Sequence, residues 1–426
     1  MADDGRYPRP LAAELADDVR ERFLRYVRID TQSDSDSTTY PSTAKQRDLG
    51  ELLAQELRDL GLDEARIDEH GYVFASLPGP RGPTVGLIAH VDTSPDESGT
   101  NVQPQVVHYE GGDIELAGDP RQAIRPSESV LLAERVGHDI VTTDGTTLLG
   151  ADDKAGVAEI MAAVAYLVRH PDVEHAPIRV GFTVDEEVGR GVEHFDIQQF
   201  GADFAYTLDG AEIGRIDDET FSASELRIRI QGHSVHPGTS KGKLVNSVKL
   251  AAALIDRLPK DRLSPETTEE REGFVHPHRI VGGAAETTIT FICRDFDRAQ
   301  LGEHEQLLRR LADEIEREEP RAHVTVEVEE SYPNMKEFLD ARPRILEAAD
   351  EATRRVGLRP QRNAIRGGTD GAMLSARGLL TPNIYTGGQE YHSVREWVSV
   401  QDMAVSAATV VELAKLWSEP DWAEST

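Results

Sequence analysis

Three apolar runs constrain this chain more than any other feature, because each ends in groups that carry charge. Thr84–Asp92 closes on His90 and Asp92, Ile178–Val184 runs into Asp185, Glu186 and Glu187, and Phe204–Leu208 ends at Asp209. Continuous apolar stretches of this length belong to strands covered on both faces, as in sheets flanked by helices. Two residues apart on a strand point the same way, so His90 and Asp92 can cooperate. Acids placed directly behind buried strands are costly to desolvate unless a counter-charge is near. A fourth segment, Leu148–Gly156, sets Asp152 and Asp153 at a Gly/Ala turn. Ile140–Thr143 before it reads as a short strand, and Val157, Ile160, Met161, Val164, Leu167 and Val168 after it have helical spacing. The acidic pair therefore falls at a strand-to-helix junction, where open α/β sheets place ligands. Alone, Asp152 reads as a helix N-cap.

A chain of 426 residues is long for one domain and points to two or three. Leu11, Leu15, Val19, Phe23 and Val27 mark an amphipathic first helix, and a second runs from about Ala44 to Leu60, stopped by Gly61. Tyr72–Leu77 is a strand ended by Pro78, Gly79 and Pro80, whereas residues 93–139 read as loop without an assigned role. From about Phe221 the pattern changes. Glu225–Gln231 alternates with period two, followed by a helix, a strand at Thr287–Phe296, a helix and a strand at His323–Val328. This order is that of an α+β domain inserted into the first. The expected division is 1–218 and 333–426 for one α/β domain with a mixed, mostly parallel sheet flanked by helices, and 219–332 for the insertion.

The formal net charge of −31, from 77 acidic and 46 basic residues, spreads along the whole chain. Nucleic acid and anionic membrane are poor partners for such a field. Only eight of the basic residues are Lys. A solvated acidic surface of this kind fits adaptation to high salt, where screening removes self-repulsion, so a halophilic source is expected. No apolar run approaches the length of a membrane span, and no signal peptide is visible. The single Cys293 excludes an intrachain disulfide and suits a reducing cytoplasm.

His90, Asp92, Asp152, Glu186, Glu187, Asp209 and His392 are the candidates for chemistry. Without a counter-charge the carboxylates would repel and their pKa values would rise. Imidazoles and carboxylates in this ratio supply what a pair of zinc-like cations needs: a His and a terminal acid for each, one acid between them, and a spare for general-base work.

Together these segments resemble the M20 family of zinc peptidases. The resemblance rests on Ala89–Thr93, Gly150–Gly156, Thr183–Gly189 and Tyr206–Gly210, extended by Asn101–Gln105, Val235–Thr239, Arg294–Asp297, Asn334–Met335, Ile365–Gly371 and Tyr391–His392. It runs in family order from about residue 23 to the C-terminus and is closest to tripeptide aminopeptidases. It implies one zinc on His90 and Asp209, a second on Glu187 and His392, and Asp152 bridging them, with Co2+ or Mn2+ able to use the same donors. It further implies that Asp92 orients His90, that Glu186 is the general base, and that the Asp152–Asp153 peptide is cis. His236 would stabilise the oxyanion, and Asn246, Arg294 and Arg366 would clamp the substrate's terminal carboxylate. The insertion becomes a ferredoxin-like lid whose closure completes the site. The partner is a short peptide, and a homodimer through the lid is one arrangement left open. Pro333 stands where an aromatic residue is common, and Ser393 where the family has Gly; neither removes a ligand.

Two other readings compete. Another M20 amidohydrolase, a carboxypeptidase or deacylase, shares the zinc ligands; an inactive metal-binding relative would lack the base, and Glu186 is present. No Gly-x-Ser-x-Gly elbow or Walker pattern supports a serine hydrolase or a nucleotide-binding protein.

Overall fold

The structure is a computed structural model and describes residues 7–424. The chain divides into two compact units, residues 7–218, 338–363 and 369–424 forming the first, and 219–337 with 364–368 the second. Ala364–Gly368 thus groups with the second unit.

The first unit is built on an eight-stranded sheet in the order 63–67, 73–77, 178–183, 85–90, 204–210, 383–385, 215–220 and 361–365. The four strands Ile178–Thr183, Val85–His90, Phe204–Gly210 and Asn383–Tyr385 run parallel, and their neighbours Val73–Leu77 and Arg215–Thr220 run antiparallel. The apolar composition of the central strand follows from its place: every residue of Val85–His90 is buried. Its register puts Val85 opposite Ile178 and His90 opposite Thr183. The C-terminal ends of adjacent strands are thereby aligned, so the charged groups that follow them emerge side by side.

The helix Ala151–Arg169 packs on this sheet and is buried along almost its whole length. Gly156 makes the contact possible, since a Cβ there would lie 2.0 Å from the Leu208 carbonyl oxygen. Pro10–Tyr26 and Val400–Ser418 join it in one core with the sheet's apolar side chains.

The strand before that helix is not part of this sheet. Asp139–Thr142 belongs to a separate four-stranded sheet in the order 388–389, 397–399, 139–142 and 105–108. The junction expected at the acidic pair is therefore with a small side sheet, not with the central one. The segment 93–139 is also more ordered than its Gly and Pro content suggests. It contributes the strands Gln105–His108, Ile114–Glu115 and Ala123–Ile124 and a 3₁₀ turn at Val130–Arg135. A local core of Tyr109, Ile114, Leu116, Ile124, Leu132, Ile140 and Trp397 holds it together, and Arg135 pairs with the buried Asp402 at 2.6 Å.

The second unit has a four-stranded antiparallel sheet in the order 274–282, 286–295, 222–231 and 323–332, with helices Ser247–Asp256 and Arg298–Glu318. In chain order this is strand-helix-strand-strand-helix-strand with spatial order second, third, first, fourth, the ferredoxin-like arrangement. Its core includes Leu226, Ile228, Ile230, Ile289, Phe291 and Leu308. The strand Phe274–Gly282 is absent from the sequence expectation. Its outer half is exposed and Pro277 interrupts it, so it lacks the alternation that reveals its partners.

Candidate metal centre

His90 sits at the end of the central strand and is 2% exposed. Its Nδ1 lies 3.0 Å from the Asp92 carbonyl oxygen, to which it donates, leaving Nε2 as the atom that faces the cluster. The Asp92 carboxylate is 3.4 Å from the same nitrogen. The oxygens of that carboxylate also accept the backbone N–H groups of Glu186 at 3.0 Å and Glu187 at 3.2 Å. One buried acid therefore ties the end of the His90 strand to the turn that bears both glutamates.

That turn is tightly shaped. Asp185 has φ +58° and Gly189 φ +72°, bracketing the 3₁₀ turn Glu186–Val188. The buried Asp185 carboxylate accepts from the Ser42 backbone and from Gln46 Nε2, both at 2.6 Å.

Asp152 occupies the centre. Its Oδ1 is 3.0 Å from His90 Nε2, and its Oδ2 is 3.4 Å from His392 Nε2. Asp209 Oδ1 is 3.6 Å from His90 Nε2, and Glu187 Oε2 is 2.9 Å from His392 Nε2. Two groups result, His90–Asp152–Asp209 and Asp152–Glu187–His392, each with ligand atoms within 4.8 Å of one another. Glu186 belongs to neither group, although it follows the same strand. The Asp152–Asp153 peptide is cis. Asp152 and Asp153 are non-helical, and the Asp152 carboxylate faces the two imidazoles, so Asp152 is not the helix cap expected of it; Asp153 accepts from Gly156 N instead.

The charges conflict as they stand. Burial pushes Glu187 up to about 8 and Asp209 up to about 6, with Asp152 adding to both. Burial likewise holds Glu186 and Asp153 well above the usual carboxylate range. Burial opposes ionisation of Asp152 too, yet hydrogen bonds to His392 and His90 outweigh it and hold that carboxyl low. His392 is driven up to about 11 by Asp152 and Glu187. His90 stays well above its ordinary value although burial alone would lower it, because Asp152, Asp209 and Asp92 surround it. Divalent cations would relieve this excess of negative charge. The donors fit them: imidazole Nε2 and carboxylate oxygens in two groups sharing one acid, with Glu187 Oε1 buried and lacking a hydrogen-bond partner.

The fold shows what Asp153, the second acid of the pair, supports, and adds residues that the sequence does not single out. Asp153 is buried, and its carboxylate accepts from His90 N at 3.1 Å and Gly156 N at 3.3 Å, joining strand to helix. Asp96, within the segment expected to be loop, lies 3.1 Å from His392 Nδ1 and directs that ring's Nε2 inward. Its place four residues past Asp92 was the available signal. Asp209 is held through its backbone, which donates to Asn383 Oδ1 at 3.0 Å.

His236, Asn246, Arg294 and Arg366 all lie in the second unit. His236 Nδ1 accepts from Gly238 N at 3.1 Å, which leaves Nε2 as the donor of a neutral ring. Asn246 caps the helix that follows it through Val248 N and Lys249 N. Arg366 donates to the carbonyls of Glu270 and Glu272 at 2.9 Å and to Thr268 Oγ1, and stacks over Phe221. A substrate carboxylate would have to displace those bonds. Arg294 is less committed, with Nε buried and unpartnered.

The parallel sheet, the acids at its strand ends and the two donor groups define a metallopeptidase-like centre, and the comparisons agree. The family model described as peptidase family M20/M25/M40 matches residues 142–416. The chain belongs to this peptidase family. Within it, the chain is similar to peptidase T. It is 44% identical to peptidase T of Geobacillus thermodenitrificans, over 95% of this chain and 99% of that protein. It is 47% identical to peptidase T of Desulfitobacterium hafniense, over 94% and 98%. Among solved structures, aminopeptidase PepT of Bacillus cereus aligns over 95% of this chain and 99% of its own with a TM-score of 0.71, at 23% identity. A dinuclear metal binding M20 peptidase of Bacillus subtilis aligns over 95% and 99% at 0.64 and 14% identity. At those identities the two structures speak for the fold.

Proposed function

We propose that this peptidase is a dinuclear zinc aminopeptidase that releases the N-terminal residue of tripeptides. The observation that carries the metal centre is the division of Asp152, one oxygen toward each imidazole, which makes it the acid shared by two sites. His90 and Asp209 would hold one ion and Glu187 and His392 the other. When bound, such ions supply Lewis acidity to the scissile carbonyl and lower the pKa of an attacking water. The same donors accept Co2+ or Mn2+. The tripeptide preference rests on the likeness to peptidase T over nearly the full chain.

The chain's own residues supply the proton transfers. Glu186 stands outside both donor groups, on a backbone fixed by Asp92, and so is available as general base. It takes the proton of the attacking water and returns it to the leaving amine. Asp92 fixes His90 and Glu186 together, so it positions the base relative to the cluster. His236, with Nε2 free to donate, is the proposed oxyanion donor, and Arg294 the first candidate for the substrate carboxylate, with Asn246 and Arg366 as weaker candidates.

A panel of peptides of increasing length, with products identified by mass spectrometry, tests the reading. Release of the N-terminal residue from tripeptides, with little from dipeptides, is the expected result. C-terminal release or cleavage of acyl-amino acids would overturn it and favour a carboxypeptidase or deacylase of the same family. We place the enzyme in the cytoplasm on its buried single Cys293; among the described residues no helix is long and apolar enough to cross a membrane.

A further inference from the structure

The turn that presents Asp152 is held only in part by its own helix, through Lys154 N, which donates to the Gly150 carbonyl at 3.2 Å. Gly150 has φ +82°, and Asp152 and Asp153 depart from helical geometry, so the N–H groups at this end lack the regular first turn that a side-chain cap would serve. They find a single acceptor from far along the chain. Leu149 N and Gly150 N each donate to Glu396 Oε2 at 2.7 Å, and Asp152 N donates to Glu396 Oε1 at 3.0 Å. Both oxygens of one carboxylate are therefore engaged on the main chain that carries the shared acid.

Glu396 is placed to do this reliably. It is 1% exposed, and it precedes the strand Trp397–Ser399, which pairs with Asp139–Thr142 in the side sheet. Trp397 is fully buried in the local core, and its Nε1 donates to Ser129 Oγ at 3.0 Å. Four residues earlier the same segment carries His392, 3.4 Å from Asp152 Oδ2. The short stretch 392–396 thus touches Asp152 twice, at the carboxylate through His392 and at the backbone through Glu396.

From this geometry we infer that Glu396 is a positioning residue for Asp152, setting where the shared carboxylate stands between the two donor groups. It touches neither substrate nor the reacting atoms; it acts through the backbone of residues 149–152. The side sheet, in which Trp397–Ser399 pairs with Asp139–Thr142, then serves to anchor Glu396. The inference rests on the metal-peptidase reading above, because the consequence of misplacing Asp152 is read as altered metal binding.

A carboxylate is needed, because an amide at this place would turn an NH2 group toward a backbone N–H that also donates. Shortening the side chain by one carbon keeps both acceptors but draws them back. The experiment uses the full-length protein freed of metal with a chelator and titrated with Co2+, read by its visible absorption, with melting temperature and tripeptide kinetics measured in parallel. Wild type is expected to take up Co2+ at two sites. Glu396→Gln is expected to remain folded, to lose about 10- to 100-fold in Co2+ affinity, to change the absorption band, and to lose kcat with little change in KM. Glu396→Asp should recover part of the affinity and of the native band.

Wild-type affinity and spectrum in folded Glu396→Gln would overturn the inference. If that variant does not fold, Glu396→Asp decides the matter, and wild-type Co2+ binding there would overturn it equally. Failure of both to fold in excess Co2+ would assign Glu396 to folding rather than positioning and also overturns it. Absence of Co2+ uptake by wild type would instead remove the proposed function itself.

Discussion

The two donor groups share Asp152 but are built differently. His90 ends a central strand, is 2% exposed, and is braced by Asp92 at its ring and Asp153 at its backbone. His392 lies on a loop at φ +58°, its side chain is 39% exposed, and its ring is braced by Asp96, itself 66% exposed. A site on a buried sheet end is preorganised by the fold, whereas a site on a loop depends on local and solvent-exposed contacts. The first group should therefore bind its ion more tightly and keep it longer.

The comparison requires first that the groups be donors and that Glu186 not be one. Glu186→Ala is expected to retain two equivalents of metal by elemental analysis while losing about 10²- to 10⁴-fold in kcat. Loss of metal instead would exchange its role with that of Glu187 and break the second group as drawn.

The two imidazoles should then differ in what their removal costs. His90→Ala empties a buried position, so in chelator, with no ion to bind, it should lower stability by about 2–4 kcal/mol in urea unfolding. His392→Ala, at a side chain 39% exposed, leaves Glu187 without its imidazole partner but empties less buried volume, and should cost less than His90→Ala under the same conditions. Equal losses would show that the groups are not built differently.

Asp96 offers a finer cut. Asp96→Asn removes the charged partner of His392 Nδ1, and should weaken one of two Co2+ affinities by about tenfold while sparing the other. Both affinities falling together would mean that the groups do not bind independently.

The asymmetry also explains what could be read without coordinates. The sheet-built group was legible because His90 and Asp209 follow apolar strands, where a buried ionisable group is conspicuous. His392 has no such flank, and although it stands among the candidates for chemistry, its pairing with Glu187 on the second ion came only from the family resemblance. Asp153 was conspicuous as half of the acidic pair, but its target, the His90 backbone, shows only in the fold. Asp96 and Glu396 act on a ring and a backbone distant in sequence, and beyond the place of Asp96 four residues past Asp92 nothing near them signals that. The side sheet escaped for the same reason, since its strands are short and gathered from residues 105–108, 139–142, 388–389 and 397–399. In the second unit, Arg366 looked like an anion clamp by residue type, yet its donors meet Thr268, Glu270 and Glu272.

Support for the buried group extends one layer further, and pH can expose it. Asp217 is buried, and accepts from Asn363 Nδ2 at 2.7 Å and Asn383 Nδ2 at 3.1 Å; Asn383 in turn holds the Asp209 backbone. Burial pushes Asp217 up to about 7. The folded state therefore keeps a proton that the unfolded chain releases near pH 4, so this group's stabilisation is full at low pH and is lost as pH rises from about 4 to 7. The loss is bounded at a few kcal/mol, since each pKa unit is worth about 1.4 kcal/mol. Asp217→Asn should flatten that part of the pH–stability curve measured by urea unfolding. A curve parallel to wild type would show that Asp217 ionises normally.

Salt should produce the smallest difference between the groups, and the one most specific to exposure. At 1 M the Debye length is about 3 Å, comparable to the 3.1 Å separating Asp96 from His392. The exposed pair is screened there, whereas Asp92, at 0% exposure, is shielded from salt by the protein around it. In molar KCl, Asp96→Asn and wild type should converge in Co2+ affinity, a shift of no more than the tenfold separating them at low salt. The same titration tests the acidic surface, because screening of a net charge of −31 should raise the melting temperature as KCl is added. A melting temperature indifferent to molar KCl would remove the proposal of adaptation to high salt. An Asp96 effect that persists at molar KCl would show that this brace is sheltered like its buried counterpart, and the distinction between the two groups would reduce to the loop on which His392 sits.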